Sequence, residues 1–343
     1  MIKVLIIDDS AVMRAFLSGV VNGQPDMNVV ATAADPVVAI EQIRLMAPDV
    51  ITLDVEMPRM NGIEFLRKLM VVRPLPVVMI SSRTRQGADV TMQALELGAV
   101  DFIEKPSDLG QFEASAAEIA DKIRSANSAK VGQRRPRAAA PPAAPMRRAP
   151  GPPAVDRVIA IGASTGGVEA LRVVLAELPP AMPPVLIAQH MPAGYTELFA
   201  RRLDSICRID VKEAQDGESA FNGVAYVAPG GRHLSLVRGA CGYSLRVTDD
   251  PPVNRHRPSV DRLFRSVAQV ALSRAIGVML TGMGADGADA MLDLSVAGAH
   301  TIAQDEASCV VFGMPRQAIS VGAVREVVPL GQIARRLVEL TGA

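Results

Sequence analysis

The sequence predicts an α/β protein made of two doubly wound parallel sheets. Short apolar runs of strand length recur between amphipathic stretches in both halves of the 343-residue chain. These runs are continuously apolar, the pattern of strands buried on both faces, and helices alternate with them. The length suits two domains, and a proline-rich stretch separates the halves. With 49% hydrophobic residues each half can bury a core.

In residues 1–124, Val4–Ile7 is the first strand. Ser10 can cap a helix that carries Val12, Met13, Phe16, Leu17 and Val20 on one face, with Gly23 as its stop. Val50–Leu53 and Val77–Ile80 are further strands. Val100–Ile103 is weaker because Asp101 interrupts it, and Phe112, Ala116, Ile119 and Ile123 form the face of a closing helix. In residues 156–343, strands are expected at Val158–Ile161, Val185–Ala188, Gly277–Leu280 and Val327–Val328. Helices are expected at Gly167–Leu178, Ser259–Leu272, Ala285–Ala297 and Gly331–Leu340. Gly223–Val247, rich in β-formers and glycines, reads as one or two hairpins.

Residues 125–155 form the linker. Gln133–Pro153 holds seven prolines and no large aliphatic residue, so it cannot build a core. The linker carries six basic residues and no acid. No aromatic residue interleaves its arginines, so it lacks the stacking platform of a nucleic-acid contact. The whole chain has 36 basic and 36 acidic residues, which gives no general pull toward nucleic acid or anionic membrane. Three cysteines without a CxxC pair argue against a disulfide framework or structural zinc. The apolar run at the N-terminus is too short for a signal peptide, and no later run approaches the roughly 20 residues of a membrane span. A cytoplasmic protein without membrane insertion is the expectation.

Asp8 and Asp9 follow the first strand and Asp54 the third. With strand order 2-1-3-4-5, the first and third strands are neighbours where the winding reverses, and ligands bind at that carboxyl edge. Three converging carboxylates need a cation or a raised pKa, and an all-oxygen set suits Mg²⁺. Lys105 after the fifth strand can pair with Asp54, and Ser81 after the fourth can offer a hydroxyl. This set, with the loop Asp54-Val55-Glu56-Met57-Pro58-Arg59-Met60-Asn61-Gly62 and the pair Lys105-Pro106, resembles the flavodoxin-like receiver domain of bacterial response regulators. The resemblance implies phosphorylation of Asp54 by a two-component sensor histidine kinase. It also implies Mg²⁺ held by Asp9, Asp54 and the Glu56 carbonyl, with Asp8 helping through water. Ser81 and Phe102 take the family's switch positions, and the peptide before Pro106 can be cis.

In the second half, Gly162-Ala163-Ser164-Thr165-Gly166 follows an apolar strand and precedes a helix. That is the spacing of a nucleophile elbow, whose helix N-terminus can face an oxyanion. A nucleotide phosphate loop is the alternative on these residues alone, although GxGxxG and GxxxxGK[ST] are both absent. Of the four histidines, His190 stands at a strand's carboxyl end on the same edge as Ser164, while His233, His256 and His300 lie in turns or before a strand. Asp286, near the first turn of the helix after Gly277–Leu280, can orient His190 or balance the helix dipole. The order Ser, His, Asp differs from that of α/β-hydrolases, chymotrypsin and subtilisin. Cys309, the chemical rival, lies in an apolar stretch that favours burial.

Gly162–Gly167, Gln189-His190-Met191, Tyr226–Gly230, Pro258–Asp261 and Leu280–Gly287 are similar to motifs of the CheB family, the protein-glutamate methylesterases of bacterial chemotaxis. The resemblance implies a Rossmann-like methylesterase domain with a β-hairpin insertion over residues 156–343. It implies Ser164 as nucleophile, His190 as general base then acid, and Asp286 as its orienting residue. The backbone of Thr165 and Met283 would form the oxyanion hole. It implies hydrolysis of glutamate γ-methyl esters on methyl-accepting chemotaxis receptors, deamidation of receptor glutamines, and no cofactor for the hydrolysis. It further implies that the unphosphorylated receiver covers the Ser164 cleft and that phosphorylation loosens this packing. Two other classes stand beside it. A receiver-controlled transcription regulator would need a basic helix-turn-helix, which residues 156–343 do not offer. A phosphorylation-gated binding module would carry the same triad without turnover.

Overall fold

The computed structural model describes residues 1–57, 60–81, 84–106, 109–131, 157–240 and 242–343. Pro58, Arg59, Cys241 and most of the expected linker therefore lie outside the described residues. Contacts divide the chain into two units, Met1–Arg137 and Ala138–Ala343.

The first unit runs β1 (Ile2–Ile7), α1 (Ala11–Asn22), β2 (Met27–Ala33), α2 (Pro36–Met46), β3 (Val50–Asp54), α3 (Gly62–Val72), β4 (Val77–Ser81), α4 (Arg85–Glu96), β5 (Asp101–Glu104) and α5 (Leu109–Asn127). Its five strands are parallel in the order β2-β1-β3-β4-β5, so β1 and β3 flank the reversal of winding. The Ser10 hydroxyl caps α1 by accepting from Met13 N–H at 3.4 Å. Met13, Leu17, Val20 and Val21 form its buried stripe. Val12 was expected on that face but lies just outside it and is 71% exposed. Phe112 of α5 meets Phe16 of α1 edge-on, with centroids 4.4 Å apart. Helix α5 continues through Asn127, so Ser125 and Ala126, read as linker in the sequence, are buried helix residues. The peptide before Pro106 is trans; Arg257–Pro258 is the cis bond among the described residues.

The second unit runs β6 (Val158–Ala163), α6 (Gly167–Ala176), β7 (Val185–Gln189), α7 (Tyr195–Asp204), β8 (Asp210–Glu213), β9 (Val224–Val227), β10 (His233–Gly239), β11 (Gly242–Thr248), α8 (Val260–Ala271), β12 (Ala275–Met279), α9 (Ala288–Val296), β13 (His300–Gln304), α10 (Met314–Ser320), β14 (Glu326–Val328) and α11 (Leu330–Thr341). A seven-stranded parallel sheet has the order β14-β13-β12-β6-β7-β9-β8. From the central β6 the chain winds outward through β7, then returns to β12 on the other side. The reversal of winding therefore lies between β6 and β12. Only the second part of Gly223–Val247 is a hairpin: β10 and β11 pair antiparallel, whereas β9 joins the main sheet between β7 and β8.

Helix α8 packs on β6, β12, α9 and the hairpin, and its Phe264 sits in the core with Tyr226, Tyr243 and Met291. We expect Phe264→Ala to cost about 3–5 kcal/mol of stability in the second unit. Val12→Ala should cost less than about 0.5 kcal/mol in the first. Denaturant unfolding of the two variants measures both, and a large loss from Val12→Ala would contradict its outward placement.

Candidate active site

Ser164, His190 and Asp286 follow three adjacent strands, β6, β7 and β12. The Ser164 N–H donates to Thr281 O at 3.0 Å, and His190 N–H to Ala163 O at 3.1 Å, which holds each residue at the edge of its neighbouring strand. Gly166 takes φ +78° at the start of α6, and a Cβ there would stand 2.5 Å from Val310 Cβ. The tight turn beside Ser164 therefore needs glycine.

The side chains meet. His190 Nδ1 lies 3.1 Å from Ser164 Oγ, and His190 Nε2 lies 2.8 Å from Asp286 Oδ2. Asp286 is 3% exposed yet richly solvated by protein. Its Oδ1 accepts from Ser259 Oγ at 2.8 Å, Asn254 Nδ2 at 2.9 Å and Asp261 N–H at 3.3 Å, while Oδ2 also accepts from Val260 N–H at 2.7 Å. Val260 and Asp261 open α8, so the carboxylate faces backbone donors at a helix N-terminus. Burial works to raise its pKa, but the hydrogen bonds from His190, Asn254 and Val260 prevail and hold it at about 2. An ionised carboxylate only accepts, so Nε2 carries the imidazole proton and Nδ1 presents its lone pair to Ser164. Chymotrypsin-type triads use the two ring nitrogens the other way round.

Asp286 lies near the first turn of α9, as its place in the sequence suggested, but not within it. The helix begins at Ala288, and Asp286 lies in the preceding turn, turned toward α8 instead. Its partners Ser259, Val260 and Asp261 lie in the Pro258–Asp261 motif, but no sequence signal joined that motif or Asn254 to Asp286. Val253 and His256 exchange both backbone hydrogen bonds around Asn254 and Arg255, which take φ +52° and +67°. This is a tight turn in a backbone region that non-glycine residues seldom occupy. It delivers Asn254 to Asp286 and lays His256 flat on His190, with ring centroids 3.7 Å apart and planes 11° apart. Thr281 Oγ1 donates to Thr165 O at 3.0 Å, and among the described residues Met283 N–H donates no hydrogen bond. Cys309 is buried with its thiol toward Gln304 O, and burial pushes the Cys207 thiol up to about 12. His233 is buried, with Nε2 on Pro251 O at 3.0 Å, and His300 pairs with Glu326.

The first unit gathers a second constellation. Asp8, Asp9 and Asp54 have carboxylate oxygens within 4.8 Å of one another. Lys105 Nζ lies 2.8 Å from Asp54 Oδ2 and 3.2 Å from Asp8 Oδ2. Among the described residues Asp54, 1% exposed, otherwise accepts only a 3.3 Å bond from Glu56 N–H. Burial, with Asp8 adding to it, therefore outweighs Lys105 and raises its pKa to about 6; burial also raises that of Asp8. Asp8 Oδ2 is buried and, among the described residues, faces only the Lys105 ammonium that Asp54 shares, so a cation beside the three carboxylates would relieve their charge crowding. This oxygen-only donor set fits a hard divalent ion. Ser81 Oγ donates to Gly87 O of α4 at 3.1 Å, and Phe102 is buried beneath the Lys122 ammonium, 5.0 Å from its ring centroid.

Fold and constellation together define a receiver-type domain followed by an α/β domain of the serine-hydrolase kind. The family model for the CheB methylesterase matches residues 159–337, and that for the response regulator receiver domain matches residues 4–117. The chain is 56% identical to a protein-glutamate methylesterase/protein-glutamine glutaminase of Burkholderia lata, covering 98% of this chain and 94% of that one. It is 56% identical to the protein of the same name from Pectobacterium atrosepticum, covering 98% and 96%. The catalytic domain of the Thermotoga maritima CheB methylesterase, 38% identical, superposes with a TM-score of 0.53 over 55% of this chain and all of that one. The chain belongs to the CheB methylesterase family and is a hydrolase with an N-terminal receiver domain.

Asp54 gives a signed pH dependence. Its folded pKa, about 6, lies above the ordinary 3.8, so its contribution to stability is full below about pH 4. That contribution, on the order of 2–3 kcal/mol, is lost as the pH rises through about 6. In metal-free protein, Asp54→Asn should raise the melting temperature of the first unit more at about pH 8 than at about pH 4.5. Calorimetry at the two pH values checks this, and an equal shift at both would contradict the raised pKa.

Proposed function

We propose that this chain is a phosphorylation-activated protein-glutamate methylesterase and protein-glutamine deamidase that acts on chemotaxis receptors. The observation that carries the reading is the continuous hydrogen-bond path from Ser164 Oγ through His190 to the buried Asp286. In this mechanism Ser164 Oγ attacks the γ-carbonyl carbon of a methylated glutamate while its proton passes to His190 Nδ1. Asp286 holds the imidazole in the Nε2–H form and stabilises the imidazolium. The Met283 and Thr165 backbone N–H groups receive the oxyanion. The carbon–methoxy bond then breaks, His190 returns the proton, and methanol leaves. Water, deprotonated by the same Nδ1, cleaves the acyl-serine to free glutamate. A glutamine side chain follows the same path with ammonia as the leaving group.

The receiver supplies control. Asp54 accepts a phosphoryl group from a sensor histidine kinase, and Lys105 and Ser81 contact its oxygens. Asp8, Asp9, Asp54 and the Glu56 carbonyl would hold Mg²⁺, which offsets the charge of the phosphoryl group when bound. Phe102 reports the change on the α4–β5–α5 side. In the described residues no helix is long and apolar enough to cross a membrane, in keeping with action on the cytoplasmic part of a receptor.

The test is methanol release from a methylated receptor cytoplasmic fragment. Wild-type protein should turn over, faster with Mg²⁺ and a small acyl phosphate. Ser164→Ala should lose at least about 10³-fold. Asp54→Asn should keep its basal rate and ignore the acyl phosphate. Methanol release unchanged in Ser164→Ala would refute the assignment.

A further inference from the structure

Gln189, the last residue of β7, is one place before His190, and its side chain is buried. Its carboxamide nitrogen donates to two backbone carbonyls, Ser164 O at 3.0 Å and His190 O at 3.2 Å. One NH₂ group thus ties the residue that carries the hydroxyl to the residue that carries the imidazole, across the gap between β6 and β7. The nitrogen assignment follows from the partners, since only a donor can face two carbonyl oxygens.

The other end of the side chain is held by shape. Gln189 Oε1 is buried and accepts no hydrogen bond. It occupies space that a side chain at Gly167 would need: a Cβ there would fall 2.1 Å from Oε1. Gly167 is the first residue of α6, so the oxygen sits against the positive end of that helix. An unbonded buried carbonyl oxygen is unfavourable, and an apolar side chain of equal length would remove it. The retained amide is therefore best explained by what its nitrogen holds together.

We infer that Gln189 is a positioning residue for the hydrolysis proposed above, clamping the Ser164 and His190 carbonyls so that Oγ and Nδ1 stay within hydrogen-bond reach. It touches neither the substrate nor the reacting atoms. Its effect therefore falls on the chemical step and not on substrate binding, and a shift of about 1 Å between nucleophile and base can cost about 10²-fold in rate. The inference rests on the assignment of Ser164 and His190 to the reaction.

The experiment measures methanol release from the methylated receptor fragment by full-length wild type, Ser164→Ala, Gln189→Met and Gln189→Glu, at pH 6 and pH 7.5. Turnover by wild type and its loss in Ser164→Ala establish the underlying assignment separately. Gln189→Met keeps the volume and removes both donors. It should lower kcat by about 10²-fold, with KM within about twofold of wild type. Gln189→Glu restores one donor when its buried carboxyl is protonated, as burial favours at pH 6. At that pH it should exceed Gln189→Met by about tenfold, a rescue that lost packing alone would not give. Wild-type kcat in Gln189→Met, a loss confined to KM, or Gln189→Glu no better than Gln189→Met at pH 6 would each overturn the inference. If Gln189→Met fails to fold, the comparison of Gln189→Glu with wild type at pH 6 still decides: a kcat loss of about 10²-fold there would overturn it.

Discussion

A buried carboxylate must be surrounded by donors or give up its charge, and this constraint organises the second unit. Asp286 keeps its charge because five donors from three parts of the chain point at it. They fix the start of α8, the turn at residues 253–256 and the plane of the His190 ring together. Asp261 extends the arrangement, accepting from Asn254 Nδ2 at 2.6 Å and from Ala290 N–H of α9 at 3.1 Å. Two helix N-termini and a strained turn are thus joined through two neighbouring acids.

The first unit meets the same constraint with the opposite outcome. Asp54 is buried as deeply as Asp286 and also ends at a reversal of sheet winding. Its neighbours are two further acids and one lysine, with few backbone donors. Its pKa rises to about 6, where that of Asp286 falls to about 2. A carboxylate held at low pKa suits a fixed electrostatic role. One held in strain suits a site completed from outside, by a cation and a phosphoryl group. Sheet topology chooses where ligands meet in both units, and the local donor supply chooses what each aspartate can do.

Much of this was legible in the sequence because functional residues sit just past apolar strands. Ser164, His190, Asp8, Asp54 and Lys105 could be placed on the carboxyl edges of their sheets from strand position alone. What escaped depends on side-chain direction and tertiary contact. Asn254 and His256 lie in a polar loop whose left-handed turn has no glycine to announce it. Gln189 could be read as a neighbour of His190 but not as a clamp, since its second partner, Ser164, follows another strand. Strand β2 was counted in the expected order but not located, because Asn28 and Thr32 break its hydrophobicity, and α9 starts later than its apolar pattern suggests because Gly284–Gly287 form a turn. Which imidazole nitrogen faces the serine is beyond any sequence signal.

That ring assignment decides which nitrogen can take the Ser164 proton. Nitrogen NMR of the His190 imidazole, in isotope-labelled full-length protein at a pH where the ring is neutral, reports directly which nitrogen bears the proton. Nε2 should be protonated, its hydrogen strongly deshielded by Asp286, and Nδ1 unprotonated. A proton on Nδ1, with Nε2 bare, would contradict the geometry from which the chemistry of Ser164 has been derived.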